Sequence, residues 1–529
     1  MKKTIFFAII GILASLVIRA EREFSPSDKL RYAFAIIDRF YVDSVDADKI
    51  VEDGIVAMLK ELDPHSTYTN PEETKEMTQP LQGNFSGIGI QFNMLNDTLF
   101  VIQTTSGGPS EKVGILAGDR ILSANDTAIS GVKLKNSDIL RTLRGPKGTV
   151  VDLKVLRRGQ KDPMTFRVVR DDIPIYSVDA AYMADPTTGY IRLSRFAETT
   201  PDEIEKAMKQ LKKEGMVNLI LDLQDNGGGL LGSSTALAEH FLNFYDMIVF
   251  TQGRAQEPFE VRARRGGDFK GRLVVLVNQY SASASEIASG AIQDHDRGVI
   301  VGRRTFGKGL VQRPMPFPDG SMVKITTSRY YTPSGRCIQK PYEEGHSEDY
   351  GEDMLNRYES GEWFDVNKIN LDTTQVYHTL RNGRTVYGGG GIMPDEFVPM
   401  DTTQYTRYYR SLMAKGVINQ YCITYVDQNR KELRKTYPNE QAFLDNFKAT
   451  PDMMQQLVQR GVNEGVEYND SDYQVSRPLL ENIVKAVIGR DLFETSTYFK
   501  VINPTQDIYR RGLEIINDER RYNSLLQTP

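Results

Sequence analysis

Cysteine is nearly absent from this 529-residue chain, with Cys337 and Cys422 the two present. That excludes a disulfide framework and a cysteine-rich zinc module, and there is no C-x-x-C pair. Export would permit Cys337 and Cys422 to pair, but no sequence feature shows that they do. Histidine is scarce too: His65, His240, His295, His346 and His378. None lies in an H-E-x-x-H spacing, so no metal site is expected, and none lies in a recognised triad motif. His240 falls on an expected helix over 233–245 and His295 follows Asp294 in a polar stretch, so structural or surface roles are expected. Excess positive charge is missing as well. Lys and Arg total 65 against 70 Asp and Glu, a net charge of −5, which excludes the electrostatic footprint of a nucleic-acid binder. Long apolar runs reduce to one, 14 residues from Ile5 to Ile18 behind Met1-Lys2-Lys3. That is the size of a signal-peptide core and short for a transmembrane span. No A-x-A cleavage site follows, so residues 1–24 read as either a cleaved signal or a retained N-terminal membrane anchor. Both place the body outside the cytoplasm. The short Lys-Lys signal points to a bacterial periplasm or the periplasmic face of the inner membrane.

What the chain does contain is a serine cluster, Ser281-Ala282-Ser283-Ala284-Ser285-Glu286, and a glycine-flanked lysine in Thr305-Phe306-Gly307-Lys308-Gly309. A serine hydroxyl needs a base to attack a carbonyl, and a lysine amine serves only when neutral, a form that apolar burial favours. Serine–lysine pairs are a known variant of the serine–histidine–aspartate arrangement. The apolar, β-branched run Leu273–Val277 reads as a central strand. Val299-Ile300-Val301 reads as another, leading to the lysine loop. Ile287, Ala288, Ala291 and Ile292 mark a helix face just after the serines. A nucleophile there sits near a helix N-terminus, where backbone amides favour developing negative charge. Composition does not choose among Ser281, Ser283 and Ser285, and each also fits an N-cap. A third buried strand, Leu219–Leu223, ends in Gln224-Asp225-Asn226-Gly227-Gly228-Gly229. Consecutive glycines let the backbone approach a substrate and aim N–H groups at it. A tight strand-to-helix turn is the plainer alternative.

Elsewhere, helical spacing of Leu30, Phe34, Ile37 and Phe40, and of Ile50, Ile55 and Leu59, predicts a helical module over 25–82. Thr200-Pro201-Asp202-Glu203 reads as a capping box opening a helix to about Lys213. Phe317-Pro318-Asp319-Gly320 reads as a hairpin turn. Tyr342 to Asp365 holds nine carboxylates against one arginine and is expected to be a solvated insertion, about 342–387. Residues 401–529 have helical periodicity, as at Met453, Met454, Leu457 and Val458, and no recognised motif.

The order Asp222-Leu223-Gln224-Asp225-Asn226-Gly227-Gly228-Gly229, Ser281–Glu286, Gln293-Asp294 and Thr305-Phe306-Gly307-Lys308-Gly309-Leu310-Val311-Gln312 resembles the C-terminal processing peptidases, also called tail-specific proteases, of serine–lysine type. Gly388–Asp395 resembles that family's G-G-I-x-P-D signature, and Asp63-Pro64-His65-Ser66-Thr67-Tyr68 its element ahead of the peptide-binding domain, where its role is structural. The resemblance covers about Leu30 to Val398. It implies Ser283 as nucleophile, Lys308 as base and Gln312 as the residue positioning the lysine. The implied oxyanion donors are the amides of Gly228 and Ala284. Two residues depart from the family's D-L-R-x-N-P-G-G turn: Gln224 stands where arginine is common and Gly227 where proline is common. Upstream, Gly87–Phe92, Leu99–Ile102, Gly108-Pro109-Ser110, Gly118–Asn125 and Arg144–Leu156 resemble a PDZ domain over about 83–170. That implies a peptide-binding loop at Ser86, Gly87, Ile88, Gly89 and Ile90, which would capture a terminal carboxylate while the peptide adds as a strand.

The fold expected is thus multidomain α+β: an N-terminal helical module, a β-barrel-like PDZ domain, a crotonase-like α/β protease core over 171–400 and a helical C-terminal region over 401–529. The expected function is a serine endopeptidase of exported proteins that needs no cofactor. Its partners would be proteins or peptides with flexible C-terminal tails, and relatives suggest homodimer contacts through the N-terminal helices. Two other classes are weighed against it. A non-catalytic PDZ tail-binding scaffold is disfavoured by the intact serine, lysine and glutamine. An acyl-thioester enzyme is disfavoured by the PDZ domain and export signal.

Overall fold

The computed structural model describes residues 24–95 and 97–527, so all but the last residue of the signal or anchor expected over 1–24 lies outside the described residues. The chain opens with helices Pro26–Phe40 and Ala47–Lys60. Ser25 and Asp28 form a capping box at the first of these, and Asp46 caps the second. The first helix buries no residue, and Leu30, Ile37 and Phe40 are exposed. A short strand, Thr67–Thr69, follows, and then helix Pro71–Gln82.

A stem of two antiparallel strands, Asn84–Gly87 and Asp171–Pro174, brackets the next domain. Inside it, five strands lie in the order Ile90–Leu95, Thr98–Thr104, Arg120–Ala124, Val150–Leu156, Met164–Val169. Strand Val150–Leu156 shows why this sequence makes a half-buried sheet: Val151, Leu153 and Val155 are fully buried, and Val150, Asp152 and Lys154 between them face water. Their apolar face closes on Leu99, Val101, Ile121, Ile139 and Leu143. Helix Asn136–Leu143 contributes the last two. Among the described residues Ile90–Leu95 is an edge strand, paired on one side only, with Thr98–Thr104.

The core is a six-stranded sheet in the order Val178–Met183, Thr188–Leu193, Asn218–Asp222, Leu273–Val277, Val299–Gly302, Glu396–Phe397. The first pair is antiparallel and the rest are parallel. Near-continuous apolar runs are what a parallel sheet covered on both faces requires. Leu219, Leu221, Leu273, Val275, Val277 and Ile300 face helices Thr200–Lys213, Leu231–Glu239 and Ala284–Asp294. Ile220, Val274, Leu276, Val299 and Val301 face Ile508, Tyr509, Ile515 and Ile516. These last belong to helix Asp507–Asn517, so the region expected as one unit over 401–529 divides. Residues around Tyr408–Ile502 build a separate helical cluster, and the chain then returns to cover the protease sheet. Gly512 permits that return, because a Cβ there would lie 2.7 Å from Leu276 Cδ2.

A second sheet joins Met322–Tyr331 to Leu310–Pro316, Met247–Gly253 and Thr67–Thr69. The turn at Phe317–Gly320 forms as expected, with Gly320 at φ +91. The helix over Thr200–Lys213 also forms, but not through a capping box at Thr200. Thr200 Oγ1 instead accepts from Ala197 N–H and donates to Ser177 Oγ. Glu203 accepts from the amides of Ser177 and Val178, since tying the helix to the sheet satisfies two strand donors at once.

The acidic insertion is solvated along its outer face, with Glu343, Glu344, Glu352, Glu359 and Asp365 exposed, but it is also anchored along an inner face. Helix Ser347–Glu359 and the following turn pack on the core, with Tyr350, Arg357, Glu362 and Trp363 buried. The lone arginine supplies the anchor: Arg357, paired with Asp353 on its own helix, donates to the carbonyls of Thr305 and Phe306 on the lysine loop. Cys337 and Cys422 are both free thiols, and Cys422 is buried in the helical cluster.

Candidate active site

Strand Leu273–Val277 delivers the chain into the loop Asn278–Ala282, and helix Ala284–Asp294 begins directly after Ser283. Two neighbouring loops are stitched together here. Ala282 N–H donates to the Asn226 carbonyl (3.0 Å), and the Asn278 amide donates to Asp225 Oδ1 (2.8 Å). Ser281 Oγ donates to the Leu223 carbonyl (2.7 Å) and Ser285 Oγ to the Asn226 carbonyl (2.8 Å). Both hydroxyls are fully buried and engaged in structure. Ser283 alone of the three is partly exposed. It sits at φ +55, ψ −113, a region that a residue with a side chain rarely adopts.

The lysine loop closes over this helix start through one side chain. Glu286, fully buried, accepts from Ser283 N–H (2.8 Å) and Lys308 N–H (2.9 Å) on Oε2. On Oε1 it accepts from Gly307 N–H (2.7 Å) and Thr305 Oγ1 (2.5 Å). Burial pushes its pKa up, and these four donors oppose that. No sequence expectation covered this bridge to the lysine loop. The position of Glu286 inside the serine run was the available signal. Tyr330, donating to the Ser283 carbonyl (3.2 Å), carried no such signal.

Lys308 is partly buried, and its pKa is lowered to about 8. Burial is the main cause and the Lys324 charge the second, while Glu286 and Asp63 pull the other way. Gly307 and Gly309 on either side pack against backbone, at Gly391 and Gln339 respectively. Gln312 lies on the adjoining strand Leu310–Pro316. Its amide donates to Thr326 Oγ1 (3.1 Å), which donates to Asp63 Oδ1 (2.9 Å). No hydrogen bond joins Gln312 to Lys308 among the described residues. His65 reaches the same neighbourhood, contacting the Tyr350 hydroxyl at 3.0 Å. Burial first and the Lys308 charge second lower its pKa to about 4.

The two expected oxyanion donors fare differently. Ala284 is the first helical residue, and its N–H has no acceptor among the described residues, as befits a first-turn amide. Gly228 packs against it: a Cβ on Gly228 would lie 2.8 Å from Ser283 Cβ and 2.9 Å from Ala284 N. Its own N–H, however, already donates to Asn226 Oδ1 (2.9 Å), so in this conformation it is not an open donor. Arg192, from a neighbouring strand, bonds Asp222 and the Gln224 carbonyl, so this turn keeps a cation even with glutamine at 224.

The peptide-loop residues lie together at the mouth of the PDZ sheet. Ser86 and Gly87 end the stem strand, Ile88 is buried, Gly89 is at φ +72, and Ile90 opens the edge strand. Ser110 secures the loop by donating to the Ile88 carbonyl from both N–H and Oγ. Ser86 Oγ is buried without a hydrogen-bond partner. Of the remaining histidines, His240 meets Asp268 and His295 the Met247 carbonyl.

Comparison with known proteins places the chain in a family. Peptidase family S41 matches residues 187–350 and the PDZ domain family residues 86–178. Residues 408–494 match a family of unknown function. The carboxy-terminal-processing protease of Bartonella bacilliformis is 36% identical over 354 residues, covering 64% of this chain and 80% of that one. Carboxy-terminal processing protease CtpB of Bacillus subtilis is 33% identical over 327 residues, covering 59% of this chain and 65% of its own length. The solved structure of a photosystem II D1 C-terminal processing protease is 29% identical, covers 58% of this chain and 89% of that one, and superposes with a TM-score of 0.33. With four-fifths of a relative spanned at this identity, the chain belongs to the carboxy-terminal-processing proteases, PDZ-bearing serine proteases of peptidase family S41.

Proposed function

We propose that this protein cleaves exported proteins after its PDZ domain takes their C-terminal tails, with Ser283 as nucleophile and Lys308 as base. The observation that carries this reading is that one Glu286 oxygen takes the N–H groups of both Ser283, partly exposed and backbone-strained, and Lys308, half-buried with its pKa lowered to about 8. Near neutral pH a useful fraction of such a lysine is uncharged. Ser283 Oγ attacks the peptide carbonyl and its proton passes to Lys308 Nζ. The Ala284 amide receives the oxyanion, a contribution of about 3–4 kcal/mol for one such donor. Rotation of the Asn226 side chain would free Gly228 N–H as a second donor. Lys308 then gives its proton to the leaving amine, and water releases the acyl group from Ser283. Gln312 would position the lysine by turning its amide from Thr326 Oγ1 to Lys308 Nζ.

The unpaired strand edge at Ile90–Leu95 supports tail binding by strand addition, with the loop Ser86–Ile90 receiving the terminal carboxylate. The exposed apolar face of Leu30, Ile37 and Phe40 supports a homodimer through the N-terminal helices, and the N-terminal signal supports the periplasm or its membrane face as the site of action. The test is degradation of a destabilised reporter with an apolar C-terminal tail, by the intact protein beside Ser283→Ala and Lys308→Ala. Loss of reporter with the intact protein alone is the expected result. Tail binding without cleavage by any form would mark a binding scaffold.

A further inference from the structure

The C-terminal helical cluster matches a family of unknown function, yet it touches the PDZ domain at a defined place. Asp427, on helix Val417–Thr436, is largely buried between two PDZ arginines. Arg120 Nη2 approaches its Oδ2 at 2.9 Å and Arg158 Nη1 approaches the same oxygen at 3.1 Å. Gly118 makes room for it, since a Cβ there would stand 3.1 Å from Asp427 Oδ1. Beside the ion pairs, Phe100, Val101 and Ile102 of the PDZ domain line a small gap with Ile423, Val426 and Arg430 of the helical cluster. Arg120 lies over the Phe100 ring at 4.5 Å, joining the polar and apolar halves of the contact.

The place of this contact matters. Phe100, Val101 and Ile102 belong to strand Thr98–Thr104, which pairs directly with the open edge strand, Phe92 opposite Val101 and Asn93 opposite Phe100. On its other side Phe100 pairs with Arg120. One strand therefore carries both the peptide-accepting edge and the helical contact.

We propose that the C-terminal helical cluster is a docking module for the chain's own PDZ domain. Asp427 holds Arg120 and Arg158 while Ile423 and Val426 cover Phe100 and Ile102, fixing the PDZ domain in the pose that leaves Ser283 open to a bound tail. This rests on the proteolytic reading for its effect on turnover but not for the contact itself, so the two are tested separately.

The contact is tested in full-length Ser283→Ala protein, by hydrogen exchange in Asp427→Ala, Arg158→Ala and the double variant. Exchange in 98–104 and 417–430 rises by roughly five-fold in each single variant, a usual size for intramolecular coupling, and the double variant adds little more. Unchanged exchange in Asp427→Ala, or fully additive effects, overturns the module. Turnover is then compared in the active enzyme on a tailed protein reporter and a short peptide without a tail. Release of the PDZ domain slows the reporter several-fold and leaves the short peptide unchanged. Equal loss on both substrates, or loss on neither, overturns the functional half. Unaltered thermal melting of Arg158→Ala, whose side chain is half exposed, separates either outcome from misfolding.

Discussion

Ser283 and Lys308, 25 positions apart in the chain, donate their backbone N–H groups to the same carboxylate oxygen, Glu286 Oε2, at 2.8 and 2.9 Å. Neither side chain is involved, so the relative placement of the two depends on a third residue that need never touch substrate. Glu286→Gln puts an amide N–H₂ where two N–H donors converge. We expect kcat to fall by at least about ten-fold and stability by about 2–4 kcal/mol, the scale for disrupting a buried, charge-accepting site. Thermal melting and turnover of a short peptide measure both. An unchanged kcat would remove Glu286 from the positioning role.

Backbone strain separates stability from activity at Ser283. Glycine tolerates φ +55, ψ −113, so Ser283→Gly should be inactive yet as stable as the parent or more so, by up to about 1 kcal/mol. Ser281→Ala and Ser285→Ala should do the opposite, costing about 1–2 kcal/mol each for a lost buried hydrogen bond while keeping turnover. Denaturation midpoints and labelling by a serine-reactive probe read the contrast. Labelling retained in Ser283→Gly would move the nucleophile elsewhere.

Turnover should rise with pH through a midpoint near Lys308's pKa of about 8, because only the neutral amine accepts the serine proton. Lys324 contributes to lowering that pKa, so Lys324→Gln should shift the ascending limb of kcat/KM to higher pH. The stability sign is fixed as well. Lys308's folded pKa lies below its unfolded value, so the unfolded chain binds more protons between them. Stability from this group therefore increases as pH rises from about 8 toward 10.5, and its burial cost is complete below about 8. A limb that does not move in Lys324→Gln would contradict the electrostatic coupling.

Gly228→Ala should be doubly damaging. The residue holds φ +102, and the added Cβ would meet Ser283 Cβ and the Ala282 carbonyl at 2.8 Å. Loss of activity together with a destabilisation of about 2–3 kcal/mol is expected from overpacking and strain combined. Full activity in this variant would show that the two loops separate more easily than their contacts indicate.

Arg357 binds the carbonyls of Thr305 and Phe306 from the insertion, at 2.9 and 3.2 Å. Arg357→Ala should loosen the lysine loop and lower kcat roughly ten-fold, as removal of a buried charged partner does. Affinity of the PDZ domain for a tail peptide should stay unchanged, since that site is in a separate sheet. Calorimetric titration with the peptide, beside steady-state kinetics, separates the two.

Features set by local pattern were legible from sequence. Val150–Leu156 alternates with period two because one face meets a core and the other meets water. Leu273–Val277 is apolar throughout because helices cover both faces. The serine run, the lysine loop and the Phe317–Gly320 turn are short segments whose residue types carry their own chemistry. Tertiary structure alone decided the rest. Three serines of one type differ only in what their hydroxyls meet, carbonyls of a distant turn for Ser281 and Ser285 and partial exposure for Ser283. Gly228 N–H is closed by the side chain of Asn226, a matter of rotamer rather than composition. A run of carboxylates is solvated as its composition predicts, but the inward turn of its one arginine to two carbonyls some 50 positions earlier is not written in it. Likewise a C-terminal helix looks like any other until Ile508, Ile515 and Ile516 meet the uncovered face of the protease sheet, because such pairings link residues more than 200 positions apart and leave no periodic trace in either segment.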